Sequence, residues 1–194
     1  MHNNTSILIV GVGGQGTILA SKILGAVAVA LGGEVKVSEI HGMAQRGGSV
    51  VTQVRYGAKV DSPIIEKGEA NIILAFEKLE ALRYLSYLQT GGTILVNDQE
   101  IPPMPVIIGS VNYPEEIFKK ITTTGAKLQT INATQLAREC GTAKATNVVL
   151  LGLLARHMDI PKGIWLTAVK ESVPAKALDI NLQAFEKGYA NFQV

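Results

Sequence analysis

The stretch Ile7-Leu8-Ile9-Val10-Gly11-Val12-Gly13-Gly14-Gln15-Gly16-Thr17 constrains the fold more than any other part of the chain. A continuous apolar run ends at Gly11, glycines recur at 13, 14 and 16, and Ile18 to Leu31 then has helical periodicity. The segment therefore reads as a buried strand, a tight turn and a helix start. Glycine reaches positive φ without a Cβ clash and lets another group approach the backbone closely. The first free amides of the helix point out of such a turn, where the helix dipole favours negative charge. Two readings follow. Gly11, Gly13, Gly14, Gln15 and Gly16 form an anion or cofactor site, or the glycines only let the first helix pack tightly on the sheet.

Gly11, Gly13 and Gly16 fit the dinucleotide pattern G-x-G-x-x-G in its required strand–turn–helix setting. That pattern also asks for an acidic residue about 20 positions on, at the end of the second strand. Glu39 comes 28 positions after Gly11, and Glu34 opens the second strand rather than closing it. Thr17 stands where a phosphate-binding P-loop has its lysine, which excludes that motif.

Further along, 34–39 reads as a second strand whose carboxyl end meets the first, followed by the irregular segment Ile40 to Gly48. Ser49 to Tyr56 alternates, which predicts an antiparallel or edge strand. Asn71 to Phe76 is continuous and apolar, Glu77 to Leu88 has an amphipathic helical period ended by Gly91-Gly92, and Thr93 to Val96 is the next strand. Prolines at 102, 103 and 105 stiffen a loop ahead of a short strand expected at Val106 to Ile108. A helix is expected from Pro114 to about Thr123, with a modest strand from Ala126 to Ile131. Val148 to Leu154 is apolar on nearly every face, so it is buried in the protein or under a partner. Leu178, Leu182, Phe185 and Tyr189 share a face of a last helix. These units predict an α/β fold: a Rossmann-like, doubly wound, mostly parallel sheet with one antiparallel or edge strand and a helical C-terminal part. The organisation expected is one domain over 1–194, with 145–194 a helical extension packed on it.

Several chemistries are excluded. Basic residues are scattered and the formal charge is only +2, so no nucleic-acid surface is expected. No apolar run reaches the roughly 18 residues of a membrane span, and no targeting segment is apparent at the N-terminus. Cys140 is the only cysteine, which rules out an internal disulfide and a cysteine-held iron–sulfur cluster within the chain and suits a cytoplasmic setting. It reads as an inert packed thiol at a helix end. His2, His41 and His157 are too dispersed for a metal site, and no G-x-S-x-G elbow is present. One polar cluster stands out: Glu39, His41, Gln45 and Arg46, followed by Gly47 and Gly48. Arg46 could present a guanidinium fork to a phosphate or carboxylate across the crevice from Gly13 to Gly16. Alternatively, Gln45 and Arg46 fix the loop or meet a neighbouring subunit.

The pairing of Gly11-Val12-Gly13-Gly14-Gln15-Gly16 with Gln45-Arg46-Gly47-Gly48, 34 positions on, resembles the gamma subunit or domain of the 2-oxoacid:ferredoxin oxidoreductases, in particular the small subunit of the indolepyruvate enzymes. Asn147-Val148-Val149-Leu150-Leu151-Gly152 and the segment Asn181 to Gly188 are similar to the same family, so the resemblance spans nearly the whole chain. It implies oxidative decarboxylation of a 2-oxoacid, indolepyruvate or pyruvate, to an acyl-CoA, with electrons passed to ferredoxin. It further implies that thiamine diphosphate and four-iron four-sulfur clusters reside on a large partner subunit. This chain would then be a subunit that binds no cofactor firmly, inactive alone, with coenzyme A the candidate ligand of the glycine-rich turn. Self-association without the partner stays open. A stand-alone nucleotide- or coenzyme-A-binding module is the alternative. An independent nicotinamide dehydrogenase is poorly supported, because no acid–base pair can be assigned.

Overall fold

The structure, a computed structural model, describes residues 4–42 and 47–192. Its strands are β1 (Thr5–Val12), β2 (Glu34–His41), β3 (Ser49–Gly57), β4 (Ala70–Ala75), β5 (Leu88–Asn97) and β6 (Lys127–Ile131). Its helices are α1 (Thr17–Ala30), α2 (Lys78–Arg83), α3 (Met104–Ile107), α4 (Ile117–Thr122), α5 (Ala133–Glu139), α6 (Thr146–His157), α7 (Lys162–Ser172) and α8 (Leu178–Ala190). The strands form one six-stranded sheet in the order β2-β3-β1-β4-β5-β6.

β1 is continuous and apolar because it is covered on both faces. Ile7 and Ile9 enter a core with Ile23, Leu24, Val27, Leu151 and Phe185, whereas Leu8 and Val10 enter a second core with Ile73, Ile94, Val96 and Ile121. β1 pairs in parallel with β4, β4 with β5 and β5 with β6. β3 runs antiparallel to β1 and to β2. The mostly parallel doubly wound sheet with an antiparallel strand is thus as expected.

Four local expectations need correction. The carboxyl end of β2 does not meet β1, because β3 is threaded between them and β2 takes the edge. The segment Val106 to Ile108 is no strand: the amides of Val106 and Ile107 both turn back to the Pro103 carbonyl, at 2.9 and 3.1 Å. Prolines there lack a ladder donor but are tolerated in a first helical turn, so α3 forms instead. The helix expected to run to Leu88 stops at Arg83, and Gly91-Gly92 lie inside β5. The β4–β5 register shifts between Ala70 and Ile72, and Gly91 at φ 72° takes up the irregularity, as a bulge requires. Finally, α4 starts at Ile117 rather than Pro114, after Glu116 in the left-handed region at φ 52°.

The C-terminal helices close one face of the sheet. From Thr146 to Ala155 every residue of α6 is buried, because α6 lies between the sheet, α1, α5 and α8. Its contact with α8 is made backbone to backbone. A Cβ on Gly188 would lie 1.8 Å from the Val149 carbonyl oxygen, and one on Gly152 would lie 2.1 Å from the Phe185 carbonyl oxygen. Rigid main chain stands on both sides, so no rotamer change relieves either clash. Gly188→Ala is therefore expected to destabilise the fold by at least about 1–3 kcal/mol, measured as a lowered urea midpoint. Gly163→Ala, where a Cβ meets nothing within 4 Å, should leave that midpoint unchanged or raise it.

Candidate functional site

The turn after β1 holds its glycines for separate reasons. Gly14 and Gly16 have φ of 97° and 82°. Gly11 has no such need, but a Cβ there would lie 2.8 Å from Gln15 Oε1 and 3.0 Å from Phe76 Cβ. Close approach is what its missing side chain permits. Gln15 folds back over the turn, accepting from the Val12 amide at 2.7 Å and donating to the Phe76 carbonyl at 3.1 Å. Phe76 follows β4, the parallel neighbour of β1, so the Gln15 amide closes the crevice between the carboxyl ends of the two strands. A crevice at that switch point is the usual ligand position in open α/β sheets.

The same carbonyl receives a second donor. Asn97, fully buried at the end of β5, places its Nδ2 3.1 Å from the Phe76 oxygen and 3.1 Å from the Thr134 hydroxyl, while its Oδ1 accepts from the Ala133 amide at 2.9 Å. On the far side of the turn, Asn147 at the start of α6 donates to the Gly16 carbonyl at 3.2 Å. The four strand ends β1, β4, β5 and β6 are thereby tied into one polar seam.

Two clefts flank the turn. The first, about 330 Å³, runs from Gly14–Gly16 past Gln99, Ile101 and Thr134 to Arg138, Lys144 and Thr146. Its two charged residues are both cations, and neither forms an ion pair among the described residues. The second, about 480 Å³, lies between Gly13–Ile18 and the end of β2, where Glu39, His41 and Gly42 line it. Glu39 accepts a hydrogen bond from Thr52 at 3.2 Å. With β3 interposed, Glu39 stands two strand spacings of about 4.8 Å from β1 instead of one. Glu39 is thus displaced from β1 in space, and it is late in sequence because the 14-residue α1 comes before β2.

Gln45 and Arg46 lie outside the described residues. Their flanks reach the turn directly: the Gly13 amide donates to the Gly48 carbonyl at 2.9 Å, and Gly47 sits at φ 81°. Ser49 then anchors the segment by donating to Glu80 Oε2 at 2.5 Å, and Arg83 Nε meets the other carboxylate oxygen at 3.1 Å. Burial pushes the Glu80 carboxyl above its ordinary range, with Glu77 adding to the effect and Ser49 and Arg83 opposing it.

The glycine-rich turn and the Gly47-Gly48 end of the second motif are therefore brought together, and Glu39 reaches the second cleft. The cationic cleft was not foreseen. Arg138 and Lys144 lie in segments without a motif, and Asn97, directly after the run Thr93 to Val96, has none either. Cys140 is a buried residue of the core at the end of α5, in keeping with a packed thiol. Among the described residues no three His, Cys, Asp or Glu side chains gather as metal ligands, and no helix is long and apolar enough to cross a membrane.

The family model for pyruvate ferredoxin/flavodoxin oxidoreductase matches residues 6–191. The chain belongs to that family. Within the family, indolepyruvate oxidoreductase subunit IorB of Thermococcus kodakarensis is 43% identical over 190 residues, covering 94% of this chain and 93% of the relative. Among solved structures, the keto/oxoacid ferredoxin oxidoreductase gamma subunit of Geobacter sulfurreducens superposes with a TM-score of 0.72 at 23% identity, covering 96% of each chain. The 2-oxoglutarate:ferredoxin oxidoreductase of Magnetococcus marinus, solved with 2-oxoglutarate, coenzyme A and succinyl-CoA, superposes with a TM-score of 0.68 at 21% identity. There the match covers 98% of this chain but 33% of the longer one. Membership in the family agrees with the resemblance drawn from the two linked glycine motifs.

The Glu80 anchor carries a pH signature. A carboxyl whose pKa is raised by folding favours the folded state most when protonated. The native state is therefore relatively penalised as pH rises from the ordinary value of 4.5 to the raised one, and the penalty is constant above that. Glu80→Gln removes this titration and keeps an acceptor for Ser49. The stability of the variant relative to the parent should consequently improve between pH 4 and pH 7.5, read from paired urea midpoints. A difference that worsens over that interval would contradict the assignment.

Proposed function

We propose that this small subunit of a 2-oxoacid:ferredoxin oxidoreductase holds neither thiamine diphosphate nor an iron–sulfur cluster of its own, and acts against a larger subunit that carries both. In the reaction proposed, the 2-oxoacid loses carbon dioxide, its acyl group passes to coenzyme A, and the electrons leave to ferredoxin. Indolepyruvate is the favoured oxoacid, with pyruvate next, and the cytoplasm is the proposed setting. The observation that carries this reading is a match over 94% of the chain to a relative named as an indolepyruvate oxidoreductase subunit, in a protein whose single cysteine is buried. A cluster bound by four cysteines needs a ligand set that this chain lacks.

The role proposed for the turn is to hold coenzyme A. Arg138 and Lys144 converge with the Gly14–Gly16 backbone on one cleft, an arrangement suited to a phosphate group. Arg46, two positions before Gly48, is proposed to complete the charge, with Gln45 and Gly47 shaping its loop. Glu39, in the second cleft, suits a hydroxyl rather than a phosphate. Segment 145–194 is proposed as an extension of the sheet domain, since Asn147 bonds the turn itself.

Co-expression with the large subunit should yield a thiamine- and iron-containing assembly, and recovery of this chain always alone would overturn the reading. Calorimetric titration of that assembly with coenzyme A should give saturable heat. Lys144→Ala should weaken binding about tenfold or more, whereas NAD should give none. The alternative, a stand-alone nucleotide- or coenzyme-A-binding module, requires the isolated chain to bind as tightly as the assembly.

A further inference from the structure

From Ile101 through Pro114 the chain carries no charged residue. The same stretch contains four large apolar side chains left in water: Met104, Ile107, Ile108 and Val111, with 65, 65, 68 and 54% of their surface exposed. None of them lines either cleft beside the turn. Apolar residues scattered singly on a surface are ordinary, but these four fall within the eight residues 104–111 of an uncharged stretch, and clustered exposure of that kind is often functional.

The segment is held in shape rather than left to collapse. α3 closes on Pro103, and the Ser110 and Val111 amides return to the Pro105 carbonyl at 2.9 and 3.3 Å. Both ends are clamped by one fully buried carboxylate: Glu77 accepts from the Ile101 amide at 3.1 Å and from the Tyr113 hydroxyl. The same carboxylate caps α2 through the Glu80 amide at 2.9 Å. Three donors on a single buried acid fix the base of a hook whose apolar tip faces outward. Depletion of charge together with exposed Met and Ile marks the core of a protein interface rather than a solvated loop.

We infer that the hook 104–111 docks into the large subunit of the enzyme. The inference rests on the functional reading above. Position selects this occupant over a second copy of the chain. A larger partner can cover the hook together with the surface beside it. That surface leads directly to the cationic cleft, because Ile101 both bonds Glu77 and lines the cleft at Gly14–Gly16. Docking at the hook thus brings the partner to the rim of the proposed coenzyme A site.

The test uses the co-expressed pair. The double variant Ile107→Asp/Ile108→Asp should raise the dissociation constant of the complex at least about 100-fold. Val29→Asp, at a position 60% exposed on α1, should leave it unchanged. Thermal melting of the isolated double variant should match that of the parent, since both side chains already face water. Independently of any variant, hydrogen exchange of the wild-type complex should show added protection at the amides of 106–111. Tight assembly of the double variant, or no added protection, overturns the hook alone. Failure of the wild-type pair to assemble overturns the functional reading and the hook together. An isolated chain that dimerises through the hook, with the heteromeric complex unaffected by the variant, assigns the surface to a second copy and overturns the proposal.

Discussion

The carbonyl of Phe76 is the point on which the functional end of the sheet depends. It accepts from Gln15 and from Asn97 at once, 3.1 Å from each. One donor comes from the turn after β1 and the other from the end of β5. A neutral hydrogen bond contributes a net of about 0.5–1.5 kcal/mol, but a buried partner left unsatisfied costs more. The two amides therefore act together to keep the carboxyl ends of β1, β4 and β5 in one arrangement. A consequence for chemistry is that the Gln15 side chain is committed to the fold. What the site offers a ligand is the turn backbone, the cations of α5 and its following turn, and the acidic end of β2.

How much of this was legible in the sequence varies with how local the cause is. β1 was readable because burial on both faces removes polar residues from a strand. The alternation of β3 correctly announced an antiparallel strand, but the partly solvated face it also suggests is absent, since Val50 to Val54 are all buried and Gln53 accepts from the Ile65 amide. The position of β2 was not readable: no residue of Glu34–His41 announces that another strand will pair between it and β1. The trio Val106 to Ile108 has strand-like composition, but the prolines around it remove ladder donors and favour a first helical turn. Gly91-Gly92 resembles a helix stop because a β-bulge and a helix end make the same demand for positive φ.

The site divides in the same way. The turn and the Gln45-Arg46-Gly47-Gly48 segment were visible as motifs, since close backbone approach leaves glycines behind. Arg138 and Lys144 were not, because a long side chain on an exposed helix has the same appearance whether it faces solvent or a cleft more than 120 residues away in sequence. Asn97 at the end of β5 and Glu77 just after β4 each open a polar stretch, and only the folded structure shows that each bonds several chain segments.

The backbone contact between α6 and α8 has a reach beyond packing. Gly152 fixes the distance of α6 from α8, and Asn147, five residues earlier on the same helix, holds the Gly16 carbonyl. α6 is 12 residues long, about 18 Å of stiff rod. The last helix of the chain thereby acts as a backstop for the first turn: any displacement of α8 is transmitted along α6 and appears as a shift in the floor of the cleft.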